Sequence, residues 1–290
     1  MGHLGPYLIG IDGGGTGCRA AISDRAGNIL GSANGGPANY TSDPDGTVRN
    51  LIGALGSAAR NAGLDLPELA NVPAHVGLAG IVSPETARAL AAKLPLLRCT
   101  VTDDQVTTVF GALGDRNGVV ISVGTGSFIA VKRGANIRHI GGWGLQLGDQ
   151  ASGAWLGRKA LQRCALTRDG LAQNSGLTTR IWQDFNNDPA KLIAFAQSAT
   201  PADFATYATE VMAAATQADS QAIEIVAEAT AYLSLCLETT GFSKEDHLCL
   251  TGGLGPLFAQ WLPRTAQNRL TGPRGTALDG ALALARQMVP

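Results

Sequence analysis

Glycine collects in five short clusters, at 13–17, 31–36, 124–126, 141–148 and 252–255, each just after or between apolar, β-branched runs. Glycine at a strand end supplies positive φ and lets a ligand come close to the backbone. A single cluster of this kind is an ordinary tight turn. Five of them at strand ends point instead to an α/β chain whose loops hold something.

The apolar runs divide accordingly. Tyr7–Ile11, Cys18–Ser23 and Asn28–Ser32 predict a three-stranded meander with turns at Gly13–Gly17 and Arg25–Gly27. Thr47–Asn61 has helical spacing, Ala74–Leu78 reads as a strand, and Pro84–Leu94 as a helix with proline in its permitted first turn. Arg98–Thr102 predicts a strand and Asp104–Leu113 a short helix. Val119–Val123, Ser127–Val131 and Ile137–Gly141 then repeat the meander. Ile9-Gly-Ile-Asp-Gly-Gly-Gly-Thr16 is thus echoed about 111 residues later by Val120-Ile-Ser-Val-Gly-Thr-Gly-Ser127. Repetition of a whole supersecondary unit predicts two similarly built domains facing each other, with a boundary near Asp115–Asn117. At roughly 150 residues per domain, 290 residues also suggest two. From Gly153 to Thr240 the periodicity is nearly all helical; His247–Thr251 is one more strand and Gly275–Met288 a terminal helix.

Composition removes several function classes. Apolar residues make up 45% and charged residues 16%, too apolar for a disordered chain. Lys+Arg 22 against Asp+Glu 23 leaves net charge −1, with no basic excess for nucleic acid or an anionic membrane. The first residues show no charged region followed by a long apolar stretch, so no signal peptide is expected, and no apolar run approaches the ~20 residues of a membrane span. Five scattered cysteines without a C-x-x-C pair fit reduced, mostly buried thiols and a cytoplasmic setting. No Walker-type G-x-x-x-x-G-K, no G-x-G-x-x-G, no H-E-x-x-H and no G-x-S-x-G is present. The histidines His3, His75, His139 and His247 are isolated and read as surface or capping residues rather than ligands.

What remains is a pair of Gly-Thr/Ser turns after strands. Successive backbone N–H groups there make a concave anion site, with hydroxyls from Thr16, Thr125 and Ser127. Asp12, at the end of the first strand, is either a turn-initiating aspartate or a carboxylate that holds Mg²⁺ through water. Asp103-Asp104 opens a helix, where a carboxylate serves as an N-cap, as a general base, or as both.

In order along the chain, Gly10-Ile-Asp-Gly-Gly-Gly-Thr16, Val123-Gly-Thr-Gly-Ser127 and Leu250-Thr-Gly-Gly-Leu-Gly255 resemble the first phosphate, second phosphate and adenosine motifs of the sugar kinase, heat-shock chaperone and actin superfamily. More narrowly, the chain resembles the BadF/BadG/BcrA/BcrD ATPase-like family with its glucosamine and N-acetylglucosamine kinases. Gly36-Pro-Ala-Asn39, Asp104 with Gly111 seven residues on, Gly141-Gly-Trp-Gly-Leu-Gln-Leu-Gly-Asp149 through Ser152-Gly-Ala-Trp-Leu-Gly157, and Gly275-Thr-Ala-Leu-Asp-Gly-Ala281 carry that narrower likeness. The resemblance implies an α/β chain of two ribonuclease-H-like (actin-like ATPase) domains, 1–115 and 116–274, facing across a nucleotide cleft, with residues 275–290 packing back on the first. It implies that Asp12 helps place Mg²⁺, that Gly13, Gly14, Gly15, Thr16, Gly124, Thr125, Gly126 and Ser127 bind the phosphates of ATP, and that Gly252, Gly253 and Gly255 pass close to the adenosine. Asn39, Gly142, Trp143 and Asp149 would lie against the sugar, and Asp104 would accept the proton of its 6-hydroxyl. A homodimer is implied as well.

Two features depart from the family pattern. Gln150-Ala151 stands where Glu-Gly is usual, losing a negative charge, and Asp103 beside Asp104 adds one. A tryptophan between glycines is in general a core or interface anchor; only the motif order places Trp143 near substrate, whereas Trp155 reads as core. The leading expectation is an ATP-dependent D-glucosamine kinase, with N-acetylglucosamine as the alternative substrate. Two further readings are an ATPase that drives electron transfer into a partner dehydratase, which needs a cluster-binding cysteine pair not seen in the spacing, and a sugar sensor without catalysis.

Overall fold

The computed structural model describes residues 7–289, so the signal-peptide reading and His3 lie outside the described residues. The chain divides into two compact units, residues 1–116 with 273–290, and residues 117–272.

In the first unit β1 (Tyr7–Gly14), β2 (Gly17–Asp24) and β3 (Ile29–Gly35) form the antiparallel meander, and β4 (Ala74–Leu78) and β5 (Cys99–Thr102) add in parallel. The order β3-β2-β1-β4-β5 is that of a ribonuclease-H-like sheet. The β1–β2 register pairs Gly13 with Cys18 and Gly14 with Gly17. The strands therefore run further than their apolar residues suggest, and the turn shrinks from Gly13–Gly17 to Gly15-Thr16. Helix α1 (Pro44–Asn61) starts three residues before the predicted Thr47, because Asp43 accepts from the Gly46 N–H and Pro44 fits the first turn. Helix α2 (Pro84–Ala91) ends before the predicted Leu94, and α3 (Asp104–Leu113) spans the predicted residues. Ile9, Ile11, Ala20, Ile22 and Val76 bury one sheet face against Leu51, Leu55 and Ala58 of α1.

The second unit repeats the meander with β6 (Gly118–Val123), β7 (Ser127–Arg133) and β8 (Asn136–Gly141). Six helices follow: α4 (Gly153–Arg168), α5 (Gly176–Asp184), α6 (Pro189–Ser198), α7 (Pro201–Ala205), α8 (Ala208–Thr216) and α9 (Ser220–Thr239). Then β9 (His247–Thr251) joins β6 in parallel, giving β8-β7-β6-β9. Where the first sheet has a fifth strand, the second has a single bridge from Leu248 to Leu270, beyond α10 (Arg264–Gln267). Gly272-Pro273 follows at once, and proline has no N–H to extend a ladder. Trp155 and Leu156 of α4, with Ile181, Val211, Ile225 and Val226, close the core over Val119, Ile121 and Ile129.

The chain then returns to the first unit as α11 (Ala277–Gln287), opened by a reciprocal capping box between Thr276 and Asp279. Leu282 and Ala285 cover Leu8 and Ala21 on the second face of that sheet. The approach is backbone to backbone. A Cβ on Gly111 of α3 would overlap the Thr276 carbonyl, one on Gly280 would overlap the Thr107 carbonyl, and one on Gly10 of β1 would lie 2.8 Å from the Leu282 Cγ.

His75 corrects an expectation. It is a core residue of β4, 4% exposed, and burial pushes its pKa down to about 4, leaving a neutral ring bonded to the Thr102 hydroxyl at 3.0 Å. The cysteines are all free; Cys18, Cys164, Cys236 and Cys249 are buried and Cys99 is partly so. Among the described residues no helix is long and apolar enough to cross a membrane.

Because α3 and α11 meet at main-chain distance, overpacking there should cost about 1–3 kcal/mol. Gly280→Ala and Gly111→Ala should each lower denaturant stability by that amount, whereas Gly56→Ala, on an open face of α1 with only the Arg60 side chain 3.7 Å away, should not.

Candidate functional site

Asp12 follows Ile11 on β1, one residue before the strand reaches its glycines. Its carboxylate is largely buried and accepts from the guanidinium of Arg19 at 2.5 Å. Arg19 lies directly opposite on β2. Gly14 and Gly15 have open space where a side chain would stand, and Thr16 is exposed at the tip. The hairpin thus offers N–H groups, a hydroxyl and one carboxylate at a single edge.

Asp103 and Asp104 stand differently at the start of α3. Asp103 is the N-cap of α3 and accepts from the Gln105 N–H at 2.8 Å. Asp104 is the first helical residue; it leaves the N-cap position to Asp103, and its own backbone N–H bonds its carboxyl and works to lower its pKa. Burial, then the charge of and a hydrogen bond with Asp103, then the charge of Asp12, push its pKa up to about 7. A helix N-terminus favours a carboxylate by about 0.3–1 kcal/mol; desolvation and two like charges outweigh it here. Two turns further on, Gly111 lets α11 pass, so the spacing from Asp104 to Gly111 fixes this carboxyl relative to a packing contact.

Asn39 lies on the same unit, bridged to Ala79. Its side-chain oxygen accepts from the Thr41 and Ser42 N–H groups at 3.1 and 3.3 Å, an Asx turn that fixes the side chain and leaves the amide NH₂ as its outward donor.

In the second unit the Gly124–Gly126 turn connects β6 and β7, closed by a bond from the Gly124 N–H to the Gly126 carbonyl at 2.9 Å. Gly124 is open above its Cα and Thr125 is exposed. Ser127 differs from both. Its hydroxyl donates to the Gln150 carbonyl at 2.7 Å and its N–H to the Asp149 carboxylate, so it ties loops together rather than presenting a free donor. Asp149 is 9% exposed and accepts also from the Gly144 N–H at 3.0 Å. Burial raises its pKa against those bonds, which lower it. One carboxylate therefore joins the anion turn to the loop that carries Trp143.

That loop is strained. Gly141, Gly142 and Gly144 have φ of +78°, +74° and +78°, Asp149 +55° and Ala151 +68°. Ala151 occupies the place of the family's usual glycine, fully buried, in a conformation that costs a residue with a Cβ about 1–2 kcal/mol. Trp143 is 74% exposed on it and Leu147 81%. The Tyr232 hydroxyl of α9, which sequence reasoning missed, would lie 2.9 Å from a Cβ on Gly141, and burial keeps it protonated. In the third glycine segment Gly252 has φ +78°, and a Cβ there would overlap the Val123 carbonyl. Gly253 is open, and Gly255 is buried, with a Cβ there 3.3 Å from the Leu250 backbone. Arg19 was equally missed; the only signal was that Asp12 and Arg19 must face each other across a hairpin this short.

Residues 9–258 match the BadF/BadG/BcrA/BcrD ATPase family. The chain belongs to that family. It is 28% identical over 280 residues to glucosamine kinase GspK of Vibrio cholerae, covering 96% of this chain and 95% of that protein. It superposes with a TM-score of 0.87 and 32% identity on a candidate N-acetylglucosamine kinase from Chromobacterium violaceum, covering 97% and 99% of the two chains. A glucokinase of the ROK family from Streptomyces griseus shares the fold at a TM-score of 0.56 and 19% identity, over 97% and 99%. The sequence resemblance and the two ribonuclease-H-like sheets thus agree with what the family's relatives show.

Asp149→Asn tests the tie. Asparagine tolerates the left-handed backbone, but its amide can accept from only one of the two N–H groups and sets N–H against the other. The unfolding free energy should fall by about 1–3 kcal/mol, the cost of a buried donor left unpaired, as read by urea denaturation.

Proposed function

We propose that this protein transfers the γ-phosphoryl group of ATP to the 6-hydroxyl of an amino sugar, D-glucosamine first. The observation that carries the reading is Asp104: a half-buried carboxyl, relieved of capping by Asp103 and raised to about pH 7, in a chain of this ATPase family. A base must be near the operating pH to be both available and strong. Asp104 takes the proton as the sugar O6–phosphorus bond forms and the bond to the bridging oxygen breaks, leaving ADP and a sugar 6-phosphate. Gly13–Thr16 and Gly124–Thr125 are assigned to the phosphates of ATP, Gly252, Gly253 and Gly255 to its adenosine, and Asn39, Gly142 and Trp143 to the sugar. Asp149 then acts through the loops it joins.

Among the described residues no three His, Cys, Asp or Glu side chains are arranged to hold a metal ion. The Asp12 carboxylate, beside the Gly15-Thr16 turn, suits Mg²⁺, which binds through one or two carboxylates together with water and phosphate oxygens. The ion supplies charge neutralisation on the phosphates; Asp12 would hold it. A cytoplasmic homodimer belongs to the same reading. N-acetylglucosamine is the second substrate to consider, because the Chromobacterium violaceum relative, 32% identical, carries that name.

ADP release with ATP and Mg²⁺ across glucosamine, N-acetylglucosamine, glucose, N-acetylmannosamine and no sugar tests the proposal. Strong turnover with one amino sugar is expected; sugar-independent hydrolysis, or none, contradicts it. Below about pH 7 Asp104 holds a proton, so kcat/KM should fall about tenfold per pH unit there and level off above. Asp104→Asn should lose at least about 10²-fold in kcat with ATP affinity spared. A variant that keeps more than about a tenth of the turnover removes Asp104 as the base.

A further inference from the structure

We propose that Arg19 stands in for the divalent cation at Asp12 and passes from that carboxylate to the transferring phosphoryl group when metal and nucleotide bind; this rests on the kinase reading. Strand register brings the two side chains together. Asp12 and Arg19 are direct cross-strand partners on β1 and β2, each three residues away from the two-residue tip. The pairing is therefore built into the hairpin, not an accident of long side chains.

Exposure then separates the partners. The Asp12 side chain is 14% exposed, the Arg19 side chain 48%. Asp12 is thus held in place, while one edge of the guanidinium is committed and the rest of its donors face outward. Among the described residues the Arg19 side chain makes no other hydrogen bond or ion pair, and it is the only cation paired with Asp12.

Charge explains why a cation is needed there. Asp12 lies near enough to Asp104 to raise its proton affinity, and Asp103 does the same. Three carboxyls in one neighbourhood call for a positive charge, and a guanidinium supplies it at any accessible pH. The arginine half of the pair is solvent-screened, so releasing it from Asp12 costs little once another cation takes its place. The planar fork also fits phosphate oxygens as readily as a carboxylate. Beside the tip, Gly14 and Gly15 leave open space for such a group.

Two consequences follow. Free divalent ions are kept from Asp12 until nucleotide arrives with its own phosphate ligands. Once displaced, Arg19 carries positive charge to the γ-phosphate, which makes it a catalytic residue by contact with substrate.

The test uses Mn²⁺ as the probe, titrated into the nucleotide-free protein and followed by electron paramagnetic resonance. Arg19→Gln should bind Mn²⁺ at least about fivefold more tightly than wild type, and adding Asp12→Asn should abolish the gain. In the same variant affinity for a non-hydrolysable ATP analogue should fall about tenfold while that for adenosine stays unchanged, and Arg19→Lys, which keeps the charge, should lie between. Equal Mn²⁺ affinity in Arg19→Gln and wild type overturns the stand-in; equal affinity for the ATP analogue overturns the transfer. Wild-type turnover of the sugar panel is read separately. Inactivity on every sugar with both Arg19 shifts present sinks the kinase reading and keeps the exchange; sugar turnover without those shifts does the reverse.

Discussion

The structure of the first unit depends on one main-chain contact, the crossing of α11 over α3 and β1 at Gly280, Gly111 and Gly10. None of the three tolerates a Cβ without striking backbone or the stem of Leu282. The contact joins the last helix of the chain to the helix that begins with Asp104. It also covers the second sheet face with Leu282 and Ala285. Interiors at this density are not deformable in small steps, so the position of Asp104 is set by packing two turns away rather than by its own neighbours. That is how a carboxyl can be held next to Asp103 and Asp12 in spite of their repulsion.

The second unit solves a different problem with a different device. Its Gly141–Ala151 loop has five residues at positive φ and would not hold that form by local preference. Asp149 over-determines it, accepting from Gly144 within the loop and from Ser127 on the next strand, while Ser127 donates to Gln150. The strain is thereby balanced by charge-assisted hydrogen bonds in a nearly dry setting. Loss of the usual glutamate at position 150 matters less to this arrangement than its neighbour does, because the backbone carbonyl of Gln150 carries the tie and Ala151 carries the strain.

Much of this was legible in the residues. The two meanders, the strand that leads to Asp104 and the helical stretch from Gly153 all follow from apolar periodicity and glycine punctuation. Element ends were less so. The β1–β2 turn is tighter than its glycines imply because Gly13 and Gly14 still pair in the ladder, and α1 begins earlier because Asp43 and Pro44 cap it. Roles that depend on three-dimensional neighbours could not be read at all. His75 looks like any isolated histidine until its burial in β4 is seen. That Ser127 ties the Gly141–Ala151 loop to its turn shows only in its bonds to the Gln150 carbonyl and the Asp149 carboxylate. The division of labour between Asp103 and Asp104 needed the cap geometry, and Tyr232 is brought to the Gly141 loop by a helix some ninety residues further along the chain.

Everything proposed for the chemistry rests on Asp104 retaining a proton to near neutrality. The direct measurement is the carboxyl ¹³C chemical shift of Asp104 as a function of pH in the ligand-free protein, assigned by its loss in Asp104→Asn. The account predicts a titration midpoint raised well above the ordinary aspartate range, to about 7. A midpoint in the ordinary aspartate range, near 4, would show that neither burial nor the neighbouring carboxylates act on it as described.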